Sequence, residues 1–270
     1  MSNEFLSHDL SREFAGRSAL VAGGSTGIGL ASARLLAWRG AAVTILSHDA
    51  KANAEAVKQA QTDGLKLQAV TGDASDGAAV AEAVQQAVRF GEGLHVLVNS
   101  VAMHPYGDAQ TTAEAVWDRT IAVNLKSAYL LAHHGVAHLL SARGGAIVNV
   151  ASNQGSACQP NVSAYATTKG ALLAFARTLA VDFGPQGVRA NTVSPGPVAT
   201  PMLQMAATRF RPEEALDAAY ERFGESVPLR RVAMPEEIAE LIAFLVGPRG
   251  SYCNGADFVV DGGLLAALGI

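Results

Sequence analysis

The chain is short of cysteine, of excess basic charge and of long apolar runs, and each shortage excludes a class of protein. Two cysteines, Cys158 and Cys253, are too few for a disulfide framework and lack metal-ligand spacing, which suits a reducing compartment and small apolar fillers. Lys plus Arg is 20 and Asp plus Glu is 24, a net charge of −4, so no general field draws the chain to nucleic acid or an anionic membrane. The longest strongly apolar runs, such as "IAELIAFLVG", stop far short of the ~20 residues that span a bilayer. The opening "MSNEFLSHDLSREF" is polar and mixed in charge, without the order of a signal peptide, and reads as a short exposed lead-in. The expectation is a soluble, cytoplasmic protein with small-molecule partners.

What is present is apolar material in alternation. The 270 residues are 49% hydrophobic, enough for one large core. Short aliphatic runs at 18–22, 42–46, 65–70, 94–99, 146–150, 188–193 and 257–261 alternate with Ala-rich stretches of helical period. At 77–90, for example, Val80, Val84 and Val88 repeat at i+4 before "GEG" stops the helix. The pattern predicts an α/β protein: a single Rossmann-type domain over 1–270, with about seven strands in a doubly wound parallel sheet and helices on both faces. The one irregular region is about 195–228, rich in Pro, Met and aromatics, where no clear single helix follows the strand; an excursion of that kind is usually functional.

Directly after the first strand comes "AGGSTGIGLASARLL". Gly23, Gly27 and Gly29 let the backbone turn tightly, and with Ser25, Thr26 and Ile28 they lead into a helix whose free N–H groups and positive dipole end suit a pyrophosphate. Glycines also simply permit close helix-to-sheet packing, and no Gly-Lys-Ser/Thr follows, so this is not a Walker loop. Ligands in such sheets gather beyond the carboxyl ends of the strands, which singles out Asn99, Ala151, Ser152, Pro195 and Gly196. Tyr165 and Lys169 lie four residues apart in "SAYATTKGAL", about one helical turn, so both project from one face. A fixed ammonium favours phenolate over phenol and lowers a tyrosine pKa from its usual ~10, making a tuned acid/base. A surface Lys beside a half-buried Tyr gives the same spacing.

Taken together, GxxxGxG after strand 1, Asp73 after strand 3, Asn124 in "AVNLKS", Ser152 before Tyr165, the YxxxK pair and "SPGPVAT" resemble the short-chain dehydrogenase/reductase family over essentially the whole chain. The resemblance implies a proton-transferring Tyr165, a Lys169 that lowers the Tyr165 pKa and bonds the nicotinamide ribose, a Ser152 that holds the substrate oxygen, and an Asn124 that anchors a water in a proton relay. It further implies that Asp73, beside Ala74, meets the adenine amine, and that Thr200 and the Val198 backbone hold the carboxamide. Where the family usually carries Asn-Asn-Ala-Gly, this chain has Asn99-Ser100-Val101-Ala102. A closed homotetramer is expected, pairing helices near 112–142 and 163–183, with the apolar tail "GGLLAALGI" marking a further interface.

The activity so implied is NAD(P)-dependent interconversion of a small-molecule secondary alcohol and its ketone. A reductase of 3-oxoacyl groups on acyl-carrier protein is the alternative, but Leu130 and Val181 stand where such relatives place arginines. A non-catalytic dinucleotide-binding regulator is a second alternative, against which all four tetrad residues argue. NADP(H) is weakly preferred over NAD(H): Ser47 occupies the end of strand 2, where NAD-using relatives carry Asp, and His48 can gain charge beside a 2′-phosphate. Asp49 nearby favours NAD, and a plain strand end fits equally. His104, Gln154, Met202 and Met205 are candidate substrate-pocket walls, as are Tyr106, Phe210, Tyr220 and Phe223. No metal is expected, since His134 and His138 lack a third ligand. Cys158 lacks a His partner that would make it a nucleophile.

Overall fold

Seven near-continuous apolar runs become strands because both faces of the sheet they form are covered. The computed structural model describes residues 10–142 and 144–267. In chain order the strands are β1 (Ser18–Ala22), β2 (Ala42–Ser47), β3 (Leu67–Thr71), β4 (Val96–Asn99), β5 (Gly145–Val150), β6 (Val188–Pro195) and β7 (Asp257–Val260). They pair in parallel in the order β3-β2-β1-β4-β5-β6-β7. Chain direction across the sheet therefore reverses between β1 and β4, and the crevice beyond their carboxyl ends is the topological switch point.

The helices are α1 (Gly27–Trp38), α2 (Ala50–Thr62), α3 (Gly77–Gly91), α4 (Glu114–Ile121), α5 (Ser127–Ser141), α6 (Ser163–Phe183), α7 (Pro201–Phe210), α8 (Leu216–Glu225) and α9 (Pro235–Val246). One face of the sheet is sealed by α1, α2 and α9 through Leu36, Ala56, Ala60, Ile238 and Ile242. The other is sealed by α3, α5 and α6 through Val80, Val84, Leu131, Leu139 and Leu179. Local chemistry sets the ends of α3: the Asp76 carboxylate accepts the Ala78 N–H at its start, and Glu92, in the left-handed region at φ 56°, closes it.

Strands 3 and 4 start about two residues later than the apolar pattern suggests, within the usual scatter of element ends. The 195–228 region is more ordered than its composition implies, holding two helices, α7 and α8, joined by a turn. Thr200 caps α7 and Pro201 fills its first position, where a missing N–H costs nothing. The lead-in departs from the expectation of exposure. Leu10–Arg12 is exposed, but Phe14 is buried and the Glu13 carboxylate accepts from Arg39 and Arg249 in the interior; the first nine residues lie outside the described ones, as do the last three of the apolar tail. No helix among the described residues is long and apolar enough to cross a membrane.

Candidate active site

The glycine turn after β1 is built so that side chains cannot enter it. Gly23 and Gly27 have φ of 72° and 52°, a region that disfavours L side chains. A Cβ on Gly29 would lie 2.1 Å from the Gly23 carbonyl oxygen, and one on Gly23 would press on the Ser100 backbone at 2.8 Å. Thr26 begins α1 without capping it through its side chain, which leaves first-turn N–H groups open to an anion. Ile28 packs down onto the core, fixing the turn from below. A Cβ at Gly27 would meet the Thr200 methyl at 3.1 Å, so the turn and the start of α7 face each other. A bare, dipolar cradle at the switch point fits a dinucleotide.

Around the cradle, Ser25 donates to Ser47 across 2.9 Å, both buried. His48 is exposed beside them. Asp49 is committed elsewhere: its Oδ1 accepts from the Lys51 and Ala52 N–H groups and caps α2. Asp73 accepts from the Ser75 N–H and hydroxyl and pairs with Arg119 at 2.8 Å. Burial alone would raise its carboxyl, but the Ser75 backbone and Arg119 outweigh that and hold it at about 2. Ala74 beside it is buried. Asn99 ends β4 with its Oδ1 accepting the Val101 N–H, holding the turn that replaces the family's usual glycine sequence. Pro195 ends β6, and a Cβ on the following Gly196 would lie 2.9 Å from Asp261. Val198 bridges to Ala233, and Thr200 donates to the Val198 carbonyl at 3.2 Å.

The four residues of the expected tetrad converge beside this cradle. Ser152 follows β5 and is nearly buried, its hydroxyl accepting the Gln154 N–H. Tyr165 and Lys169 open α6 and are 6% and 2% exposed. The Lys169 Nζ donates to the Val150 carbonyl at 2.7 Å and lies 5.4 Å from the centre of the Tyr165 ring. Asn124 sits in a π-helical stretch at Ala122–Lys126, a bulge of the kind that often marks functional sites. Its side chain grips the Met103 backbone from both sides and donates to Thr168 at 3.1 Å. That ties α6 to the loop after β4.

Electrostatically the pair departs from the sequence-based expectation. Burial pushes the Tyr165 phenol up to about 12, opposed by the Ser152 hydroxyl and reinforced by Tyr106. Burial likewise pushes Lys169 down to about 7, and the groups that move the phenol are its burial, Ser152 and Tyr106 rather than this ammonium. The phenol rests as a proton donor, the form that a carbonyl needs.

The loop after β4 closes over this pair. His104 stands edge-on to Tyr165 with ring centres 4.1 Å apart, and Tyr106 packs edge-on to His104 at 4.6 Å. The loop is held there because Gly107 exchanges backbone hydrogen bonds with Asn161 and Ser163 at the start of α6. Burial, aided by the Lys169 charge, drives His104 down to about 4, so its ring is neutral. Gln154 lies close enough to bias that ring the other way, yet no well-formed hydrogen bond joins them, and His104 Nε2 and Gln154 Oε1 are both buried without a partner among the described residues. Met202 is half-buried in α7, whereas Met205 is 73% exposed and points away; Phe210 instead packs edge-on to Tyr106 at 4.8 Å. Tyr220 reaches the Thr200 carbonyl, and Phe223 carries Arg211 over its ring. The loop after Ser152 borders a cleft of ≈ 490 Å³ lined in part by Gln154, Cys158 and Val162. Among the described residues no group of three or more His, Cys, Asp or Glu gathers as a metal site.

Sequence reasoning misses Thr168 and Arg209. Thr168 carries no motif signal. Arg209 was visible only as a cation in an apolar stretch.

Comparison with known proteins bears on this architecture. A family model described as enoyl-(acyl carrier protein) reductase matches residues 22–265. The chain is 38% identical to cis-4-hydroxycyclohexanecarboxylate dehydrogenase of Sinomonas cyclohexanicum, over 94% of this chain and 98% of that protein. It is 32% identical to cyclopentanol dehydrogenase of Comamonas sp. (strain NCIMB 9872), over 92% and 96%. The ligand-free aldohexose dehydrogenase of Thermoplasma acidophilum superposes with a TM-score of 0.88 at 27% identity, over 96% of this chain and 98% of that one. The chain belongs to the short-chain dehydrogenase/reductase family, oxidoreductases that act on CH–OH groups with NAD(P)(H).

Proposed function

We propose that this enzyme interconverts a ring-borne secondary alcohol and its ketone, using Tyr165 as the proton-transferring group. The observation that carries this reading is the burial of Tyr165, Lys169 and Ser152 together beside the glycine cradle, under His104. The alicyclic alcohols named for two relatives support the ring-borne class. A bound nicotinamide dinucleotide supplies the hydride donor or acceptor. Ser152 holds the substrate oxygen with its hydroxyl, and Tyr165 passes its proton to that oxygen in reduction and takes one in oxidation. Lys169, anchored on the Val150 carbonyl, orients the phenol and would bond the ribose hydroxyls of that dinucleotide. Asn124 keeps α6 and the loop after β4 in register, and its grip on Met103 and Thr168 supports that positioning role.

The cradle from Gly23 to Gly29 would hold the pyrophosphate, Asp73 and Ala74 the adenine, Asn99 the adjoining ribose, and Pro195 to Thr200 the carboxamide. NADP(H) is favoured modestly over NAD(H). At the end of β2 the Ser47 hydroxyl accepts from Ser25 of the glycine turn, and the adjacent acid, Asp49, is spent on capping α2. Ser47→Asp is expected to lower kcat/KM with NADP about 10–100-fold, an added unpaired anion of about 1.4–2.8 kcal/mol, and to leave or improve NAD. Oxidation of a panel of cycloalkanols with each dinucleotide, in wild type and this variant, tests both statements. A wild type that prefers NAD tenfold would overturn the preference, and no turnover of any secondary alcohol would overturn the activity.

Acyl-carrier protein is disfavoured as a partner. Leu130 turns into the core, its exposed neighbour is Tyr129, and Val181 is 74% exposed, so none of the three offers the cation an acidic partner needs. We propose a homotetramer instead: Trp117, Tyr129 and Val181 expose apolar surface along α4, α5 and α6, and Tyr252, Val259 and Leu265 do so near β7. Light scattering at micromolar concentration is expected to give four times the chain mass, and a monomer would overturn it.

A further inference from the structure

Five arginines lie between α7 and the start of α9, and four of them are engaged. Arg211 pairs with Glu214, Arg222 with Glu225 and Arg231 with Glu237, while Arg230 donates to the Glu225 carbonyl. Arg209 has no carboxylate or carbonyl partner among the described residues. Its guanidinium instead lies over Tyr106, 4.8 Å from the ring centre, and 5.8 Å from that of Phe210. A cation held over rings in this way spends none of its N–H donors on hydrogen bonds to them, so the fork stays available to an acceptor. Because Tyr106 touches His104 and His104 touches Tyr165, the free fork stands two rings away from the phenol along one continuous wall.

Among the described residues no carboxylate lies within ion-pair distance of Arg209. Asp108, two residues beyond Tyr106, stays charged, but its Oδ1 is held in its own turn by the Gln110 and Thr111 N–H groups and the Thr111 hydroxyl. The buried His104 Nε2 and Gln154 Oε1 at the phenol end are uncharged and have no hydrogen-bond partner among the described residues. The wall thus offers a proton-transfer site at one end, ring edges in the middle and a cation with open donors at the other. We infer that the substrate is an anion, a secondary alcohol or ketone bearing a carboxylate on its far side, which Arg209 takes in its fork while Tyr106 and His104 wall the apolar body. This rests on the alcohol–ketone reading of the Tyr165 site. A neutral cycloalkanol would fill only the phenol end.

Two readouts separate the inference from the reading beneath it. The first is turnover of 4-hydroxycyclohexanecarboxylate against its methyl ester. Wild type is expected to favour the acid, and Arg209→Gln to lower kcat/KM for the acid about 10–100-fold through KM, as loss of charge-assisted hydrogen bonds does, with the ester changed by less than about threefold. Arg209→Lys should restore part of the loss, since the charge returns without the fork. The second is calorimetric binding of cyclohexanecarboxylate, which has no carbinol, to protein saturated with dinucleotide. It is expected to bind wild type and to weaken at least about tenfold in Arg209→Gln. Equal losses for acid and ester, or a carboxylate affinity unmoved by the substitution, overturn the inference. If neither alcohol turns over while carboxylate binding still depends on Arg209, the anion site stands and the alcohol–ketone reading fails.

Discussion

Tyr165→Phe is expected to lower kcat about 10²–10⁴-fold, the usual cost of losing a general acid/base, while dinucleotide affinity stays within a few-fold. The change removes one oxygen and keeps the ring, so the edge contact with His104 and the packing at the start of α6 survive. Ser152 loses one neighbour but still accepts from the Gln154 N–H, so it is not left an orphan. The phenol, pushed up to about 12 by burial, is a proton donor in hydrogen-bonding contact with the Ser152 hydroxyl. Steady-state kinetics with a fluorescence titration of the reduced dinucleotide separates the two effects. A Phe variant that kept more than about a tenth of the wild-type kcat would mean that another group moves the proton.

Much of this architecture was legible from residue pattern because the pattern has local causes. Strands buried on both faces must be apolar throughout, and helices covering them must repeat at 3.6, so the sheet and its order of elements follow from runs such as "SALVA" and "LHVLVN". The glycine turn was legible because only glycine fits where a Cβ would strike the Gly23 carbonyl. The sense of the Tyr165–Lys169 electrostatics was not, because spacing along a helix gives proximity and says nothing of burial, and burial dominates both groups. Nor was the wall from Tyr165 to Arg209. It joins α6, the loop after β4 and α7, three segments brought together only by the tertiary fold, and no periodicity links Tyr106 to Arg209. Met205 misled for the opposite reason: an apolar residue in an amphipathic stretch reads as a pocket wall until the helix is seen to turn it outward.

Lys169→Met should make the protein more stable and nearly inactive at once. In the folded chain the ammonium is pushed from its ordinary 10.5 down to about 7 by complete burial, with the Val150 carbonyl as its hydrogen-bond partner. Between those two values the unfolded chain holds a proton that the folded chain has released, so wild-type stability rises as pH climbs from 7 towards 10.5. Below the folded value both forms are protonated and the penalty is constant and greatest. Methionine fills a similar volume and carries no proton, so it removes that penalty, about 5 kcal/mol if the whole shift counts, while orphaning the Val150 carbonyl costs back about 1–3 kcal/mol. The expected net gain is about 2–4 kcal/mol at pH 7, shrinking as pH approaches 10. Turnover should fall with dinucleotide affinity, because the same ammonium is proposed to orient the phenol and bond the ribose. Thermal unfolding of both proteins across that pH range, without dinucleotide, reads the stability arm alone. Parallel curves would show that Lys169 keeps its proton and its ordinary pKa in the folded state, and that its burial is relieved by solvent reaching the Nζ; converging curves would place the cost of the active site in the one side chain that the fold would be more stable without.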